Sequence, residues 1–354
     1  MKLFNCDHCG NTIYFENAVC EVCGHQLGYI PDKNAMVSLV QNDSGSWTSP
    51  AFPDQPYVFC TNAQHGACNW LIEAAPGGDV FCVACRHNET IPPIEEPQNL
   101  TRWQTIERAK KRLFYSLIEL GLPLKTRNED PAHGLAFRFL ADEPAGSAPV
   151  MTGHENGIIT IALVEADDAE REKRRSQMGE PYRTLLGHFR HEIGHHYWDL
   201  LVDNTPAIEP FRALFGDDRA DYAAALQAHY ANGAPLGWPQ THISAYATSH
   251  PWEDFAETWA HYLHIIDTVE MAAAFGVRAR PKAGDQSLAV DTNFTPYKQG
   301  EFSTIADHWV PLALLLNNLN RAMGHPDAYP FVLTPKVVEK LSFVHDLVHG
   351  RFAA

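Results

Sequence analysis

"LLGHFRHEIGHHYWDLL", residues 185–201, sets four histidines between His188 and His196 with Glu192 among them. On a helix, positions three and four apart share a face. Leu186, Phe189, Ile193, Tyr197 and Leu200 then form an apolar stripe. His188, His191, His195 and Asp199 form a second stripe, with Glu192 beside it. The apolar stripe is expected to bury and the histidine stripe to face a cleft. His191 and His195 are one turn apart, so both imidazoles reach one ion, and Glu192 reaches a water held by that ion. This is H-E-x-x-H, a two-histidine zinc pattern with a carboxylate placed as a base. His188 and His196 lack the spacing and read as surface or supporting histidines.

A catalytic zinc takes three protein ligands and keeps one position for water. An extended motif would need Gly at 198 and His at 201, where the chain has Trp198 and Leu201. Asp199 lies roughly 12 Å along the axis from His191, too far to share an ion with both histidines. The third ligand is therefore expected on another helix. "SAYATSHPWEDFAETWAHYLH", residues 244–264, is the candidate. Pro251 suits a first helical turn, and acidic residues follow it. Trp252, Phe255, Trp259 and Ile266 make an apolar stripe; Glu253, Glu257, His261 and His264 make a polar one. Carboxylates buried beside large aromatics are costly unless a cation meets them. Glu253 as ligand leaves Glu257, one turn on, to accept a hydrogen bond from a ligating imidazole. Asp217, Asp218 and Asp221 are the reserve source, although their "FGDD" setting reads more like a helix cap.

The eight cysteines all lie in the first quarter. Cys6, Cys9, Cys20 and Cys23 form C-x2-C-x10-C-x2-C, with Gly10 and Gly24 directly after each pair. Two residues between thiolates let a tight turn aim both sulfurs at one ion, and glycine permits that turn. Cys60, Cys68, Cys82 and Cys85 form a looser second set, in which His65 could replace Cys60. Four cysteines are favoured, because a leftover thiol beside zinc would be reactive. Two sequential ribbons close shorter loops than a cross-braced pair, although the spacing permits both. "APGGD" at 75–79 reads as a hairpin turn. Such small modules fold on their metal and leave it no open position.

The 354 residues carry 27 Lys+Arg against 43 Asp+Glu, a formal net charge of −16. That argues against nucleic acid or an anionic membrane as a partner. The basic clusters "RAKKR" at 108–112 and "REKRR" at 171–175 read as solvated helix faces. No apolar run of about 18 residues exists, so no membrane span is expected. The N-terminus carries no apolar signal region, and paired cysteines read as zinc ligands where thiols stay reduced, so the expected compartment is the cytoplasm. "IPPIEEPQN" at 91–99 reads as a linker between a ribbon region, 1–92, and a second domain, 93–354. A helix with apolar positions 106, 113, 117 and 120 follows, then strands at 135–140 and 157–165. Helices are expected at about 182–202, 208–231, 251–270, 303–323 and 335–349, with a long loop at 276–301. The expected fold class is α+β: two small N-terminal zinc ribbons, then a mainly helical, zincin-like domain with a small sheet.

The H-E-x-x-H helix followed by a helix bearing E-x-x-A-E resembles the gluzincin zinc metallopeptidases. Tyr246, seven residues before Glu253, together with "EDFAE", resembles their lethal-factor-like branch. More widely, "HGACNWL", "CRHNETIP", "RTLLGHFRHEIGHHYWD" and "HPWEDFAETWAHYLH" resemble a bacterial family of zinc-ribbon metallopeptidases, over about residues 1–275. The resemblance implies that His191, His195 and Glu253 bind zinc, that Glu192 is general base and that Tyr246 stabilises the oxyanion. One departure is the 57 residues between His195 and Glu253, which exceed a thermolysin-type spacer and leave the choice among Glu253, Glu257 and the aspartates open. The expected function is hydrolysis of a peptide bond by zinc-activated water, with one catalytic and two structural zinc ions. The strand at 157–165 is expected to line the cleft and pair with an extended peptide. The ribbons are expected to bind a partner protein or the catalytic domain. Two alternatives are a zinc-ribbon binding module with a non-catalytic metal site, and a zinc hydrolase acting on a non-peptide amide.

Overall fold

The computed structural model describes residues 2–142, 150–178, 184–283 and 286–352. The chain divides into two compact units, Met1–Arg171 and Glu172–Ala354. The architecture is α+β: a ribbon region with two cysteine clusters, then mostly helical structure with small sheets.

In the first unit, β1 (Phe4–Asn5) and β2 (Thr12–Ile13) form a short hairpin around Cys6 and Cys9. Strands β3 (Gln26–Ile30), β4 (Ala35–Gln41), β5 (Trp47–Ser49), β6 (Phe52–Phe59) and β7 (Leu71–Glu73) follow as an antiparallel meander in chain order. Ile30, Val37, Leu39, Tyr57 and Leu71 are its core. Gly28 is required there, because a Cβ would stand 2.6 Å from Leu71 Cγ. This sheet is absent from the sequence expectations. It ties the cysteine sets together: Cys23 precedes β3, Cys60 follows β6 and Cys68 precedes β7.

A second sheet has the order β10 (Gly153–Glu155), β11 (Ile158–Ala162), β9 (Ala136–Leu140), β8 (Asn88–Thr90). Helix α1 (Pro97–Glu119) starts at Pro97, so the linker is shorter than 91–99. Its Trp103, Ile106, Leu113, Phe114 and Leu117 are fully buried, and Phe114 meets Phe137 of β9. Two expectations fail in this unit. "RAKKR" is not a solvated face: Lys110 and Lys111 are buried, both paired with the buried Glu107. β11 pairs with β9 on one side and over Ile158–Thr160 with β10 on the other, so it has no free edge there for a peptide. Helix α2 (Asp168–Met178) carries the start of "REKRR"; the side chains of 174 and 175 lie outside the described residues.

The second unit holds α3 (Leu185–Leu201), α4 (Ile208–Phe215), α5 (Tyr222–Asn232), α6 (Pro251–Ala274), α7 (Phe302–Ala322) and α8 (Pro335–Val348). Residues 182–183 of the first expected helix lie outside the described residues. The single helix expected over 208–231 is two. Gly216 ends α4 at φ 112°, and the Asp221 side chain accepts from Ala224 N at 2.8 Å to start α5. The loop at 276–301 contains a two-stranded pairing of β12 (Arg278–Ala279) with β13 (Val290–Asp291). Among the described residues no helix is long and apolar enough to cross a membrane.

The α3–α6 pair organises this unit. Rising positions on α3 meet falling positions on α6: Arg190 pairs with Asp267, His191 with Glu257, and His195 stacks on Trp252. The helices are therefore antiparallel. Gly194 sits at the crossing, where a Cβ would lie 3.0 Å from Ala256 Cα and 3.1 Å from Trp259 Cβ. A mid-helix glycine costs about 1 kcal/mol against alanine in propensity, and the close helix approach offsets that. Gly194→Val is expected to force the helices apart and to lower stability by about 1–3 kcal/mol, as overpacking does. Urea unfolding checks this; an unchanged midpoint would show that the crossing has slack.

Candidate metal centre

Thr184 caps α3, its side chain accepting from Gly187 N at 2.9 Å. Pro251 opens α6, and the His250 side chain accepts from Trp252 N at 3.1 Å. These ends set the register that turns His191, His195 and Glu253 toward one point. Nε2 of His191 is 3.2 Å from Nε2 of His195. Glu253 Oε2 is 3.0 Å from the first and 3.5 Å from the second. Zinc bonds of about 2.0–2.1 Å at tetrahedral angles put ligand atoms about 3.3 Å apart, so the triangle has the right size.

The electrostatics also ask for a cation. Burial disfavours a charged His191, but the carboxylates of Glu253 and Glu257 outweigh it and hold its pKa well above the usual range. Burial likewise opposes ionisation of Glu253, yet His195 and His191 hold its pKa well below the usual range. His191 donates through Nδ1 to Glu257 Oε1 at 2.8 Å, which keeps the Nε2 lone pair for a metal. Ser244 Oγ donates to Glu257 Oε2 at 2.6 Å and holds that carboxylate in turn. The Trp252 ring lies 3.6 Å from the His195 ring and fixes its plane.

Glu192 is buried and outside the triangle. Burial, with the charges of Glu253 and Glu257, pushes its carboxyl up to about 7 against the opposing charge of His191. Tyr246 opens a short 3-10 turn, Tyr246–Thr248; its ring is 6.0 Å from that of His191, and its hydroxyl has no hydrogen-bond partner among the described residues. The other candidates lie elsewhere. Asp217 pairs with Arg219, Asp218 pairs with Arg212, and Asp221 caps α5. His188 is partly exposed, and His196 is buried outside the ligand set.

The cysteines gather as two sequential sets, Cys6, Cys9, Cys20 and Cys23, then Cys60, Cys68, Cys82 and Cys85. Sulfur separations are 3.8 Å for Cys6–Cys23, 3.6 Å for Cys9–Cys20 and 3.7 Å for Cys68–Cys82. Zinc–sulfur bonds of about 2.3 Å set sulfurs about 3.8 Å apart in a tetrahedron, which matches. Gly10 and Gly24 adopt φ of 76° and 73° and donate to the carbonyls of Cys6 and Cys20 at 2.8 Å, closing both knuckles. His65 stays outside the second set, bonded to Gln64. Lys111 Nζ reaches Cys85 Sγ at 3.1 Å and Glu107 at 2.7 Å. Contacts with Cys60, Cys68 and Cys82, aided by the Lys111 charge, hold the Cys85 thiol well below its usual range.

Sequence reasoning missed Tyr222, whose hydroxyl donates to Glu253 Oε1 at 2.6 Å, and it missed Ser244 and Lys111. No local spacing signals these contacts; they depend on how distant segments pack.

Two four-cysteine ribbon sets and a His/His/Glu set between packed helices define a zinc-binding protein of the ribbon-plus-helical-domain class. The chain belongs to the family described as "Putative zinc-binding metallo-peptidase", whose sequence model matches residues 99–347. A zinc-ribbon domain model matches residues 3–96. The chain is similar to uncharacterized proteins of Mycobacterium bovis and Mycobacterium tuberculosis, each 41% identical over 349 residues, 98% of this chain and 95% of the relative. No solved structure matches it.

Glu253→Ala is expected to abolish zinc binding at the histidine set. Glu257→Gln should weaken it by roughly 10–100-fold, the usual effect of losing the partner of a ligating histidine. Competition with a chromogenic chelator reads both; full affinity in Glu253→Ala would move the third ligand elsewhere.

Proposed function

We propose that this protein is a zinc-dependent peptidase, with His191, His195 and Glu253 as ligands of a catalytic ion and Glu192 as general base. The observation that carries this is the His191–His195–Glu253 triangle with a second buried carboxyl, Glu192, beside it and not in it. A purely structural site has no use for that extra carboxyl. The donor set, two imidazoles and one carboxylate, leaves one position open, as catalytic zinc sites do.

When bound there, zinc supplies a Lewis acid that polarises the scissile carbonyl and lowers the pKa of water to near 7. Glu192 takes the proton of the attacking water and returns it to the leaving amine. Its buried setting favours the neutral form and so favours accepting that proton. The Tyr246 hydroxyl, its ring 6.0 Å from that of His191, donates to the carbonyl oxygen as negative charge develops. No Lys or Arg occurs between 220 and 277 to take that role locally. Glu257 and Ser244 keep His191 in the tautomer that serves the ion.

The two thiolate sets would hold one structural zinc each, giving three ions per chain. A division into a ribbon domain, 1–92, and a peptidase domain, 93–354, belongs to the same reading, and the family matches at 3–96 and 99–347 support it. Peptide or protein is the proposed substrate, with the ribbons as a surface for a protein partner and the cytoplasm as the compartment that keeps thiols reduced.

Glu192→Gln is expected to keep three zinc ions by elemental analysis and to lose turnover in a proteome-derived peptide cleavage screen. Wild-type cleavage by that variant would overturn the mechanism; two ions or fewer in zinc-supplemented wild type would overturn the third site. Tyr246→Phe should keep zinc and fold while kcat falls roughly 10²–10³-fold, the effect of losing one oxyanion donor. KM should change little, since that bond forms in the transition state. A normal kcat would return Tyr246 to a packing role.

A further inference from the structure

We infer that Tyr222 is a positioning residue for Glu253, and that the same hydrogen bond ties helix α5 to the metal site. This rests on the metal reading above. Glu253 Oε2 faces His191 and His195, while Oε1 accepts from the Tyr222 hydroxyl at 2.6 Å. A glutamate side chain turns freely about its terminal bond. A ligand that offers one oxygen needs its other oxygen occupied, and a phenol donor does this without adding charge. Tyr222 is itself fixed. It follows the Asp221 cap at the first position of α5, and its ring meets the edges of His250 at 5.4 Å and Trp252 at 5.6 Å. Both of those residues lie within three positions of Glu253.

Helix α5 has an unusual need of this bond. None of its side chains is buried, and Tyr222 itself remains 39% exposed. Gly216 (φ 112°) and Gly233 (φ 72°) flank it. An isolated helix shorter than about 12–15 residues is marginal in water, and most helical stability comes from burying an apolar face. α5 spans Tyr222–Asn232 and has no such face. It is held by polar contacts: Tyr222 to Glu253, His229 Nδ1 to Thr248 Oγ1 at 3.3 Å, and His250 Nε2 to the Ala220 carbonyl at 3.1 Å just before the helix. A bond that steadies the ligand steadies the helix by the same free energy, so ion binding and α5 order are coupled.

Tyr222→Phe tests this, because it removes the hydroxyl and leaves the ring. On the full chain loaded with zinc, chelator competition should show the histidine-set ion bound roughly 10–100-fold more weakly, while the two ribbon ions stay as in wild type. Amide exchange over 222–232 should speed up in the zinc-loaded variant. Tyr230→Phe, on the same helix and 64% exposed, should change neither. Equal zinc affinity in Tyr222→Phe and wild type would overturn the positioning role. Weaker zinc with unchanged exchange over 222–232 would overturn the tie to α5. If wild type itself binds no ion at the histidine set, the metal reading fails instead, and the variant comparison is not what sinks it.

Discussion

The second unit depends on how closely two helices can approach at Gly194. Metal ligands must stand about 3.3 Å apart, a tolerance tighter than ordinary helix packing, in which axes lie 8–10 Å apart on side-chain ridges. Removing one Cβ at the crossing brings α3 against Ala256 and Trp259, and His191 and His195 come within reach of Glu253. Two buried ion pairs then fix the approach from either side. Arg190 of α3 grips Asp267 of α6, which also accepts from Tyr297. Lys340 of α8 grips Asp254, the neighbour of Glu253, and donates to the Thr241 carbonyl at 2.8 Å. Buried pairs of this kind add little net stability, since desolvation consumes much of the attraction. What they add here is a single register, because shifting α6 by one residue would strand a buried charge on each side.

The same logic recurs around the second thiolate set. Four thiolates about a divalent ion leave two negative charges, which a set with Cys60, Cys82 and Cys85 buried cannot hand to water. Lys111 meets one sulfur directly, and Lys110 and Lys111 share Glu107 between them. All three side chains are buried on α1, with Lys110 also over the rings of Phe137 and Phe139. The lysines thus do what a solvated face cannot: they compensate charge within a packed region, which is why a basic run on this helix points inward.

What could be read from the chain was what local spacing encodes. Pairs of cysteines two apart, histidines one turn apart, and a carboxylate stripe flanked by tryptophans each describe geometry within one or two turns. The structure brings those residues together in the expected groups, with Cys60 and not His65 in the second set and Glu253 and not an aspartate beside the histidines. What could not be read was set by distant partners. The meander β3 to β7 consists of short strands among cysteines, and its register depends on Leu71 closing over Gly28. The break between α4 and α5 was legible in principle, because "GDDRAD" supplies a terminating glycine and a capping aspartate. Alanine-rich helical propensity on the far side masked it. The buried lysines were illegible because Glu107, three and four positions before them, reads equally well as a solvated partner, and the Cys85 thiolate that meets Lys111 lies 26 positions away.

The 57-residue spacer between the histidine helix and Glu253 has a physical role that spacing alone hides. It passes through α4, turns at Gly216 and places Tyr222 against Oε1 of Glu253. It then returns through Ser244, which holds Glu257, and Tyr246, which stands beside His191. Three hydroxyls from this connection thus stand around the histidine set: Tyr222 on Glu253, Ser244 on Glu257, and Tyr246 near the His191 ring. Between Gly216 and Gln240 the connection buries no apolar side chain, whereas Phe211 and Phe215 of α4, and Ile243 and Ala247 further on, pack into the core. That middle stretch is therefore held by polar contacts, among them the Tyr222 hydroxyl on Glu253.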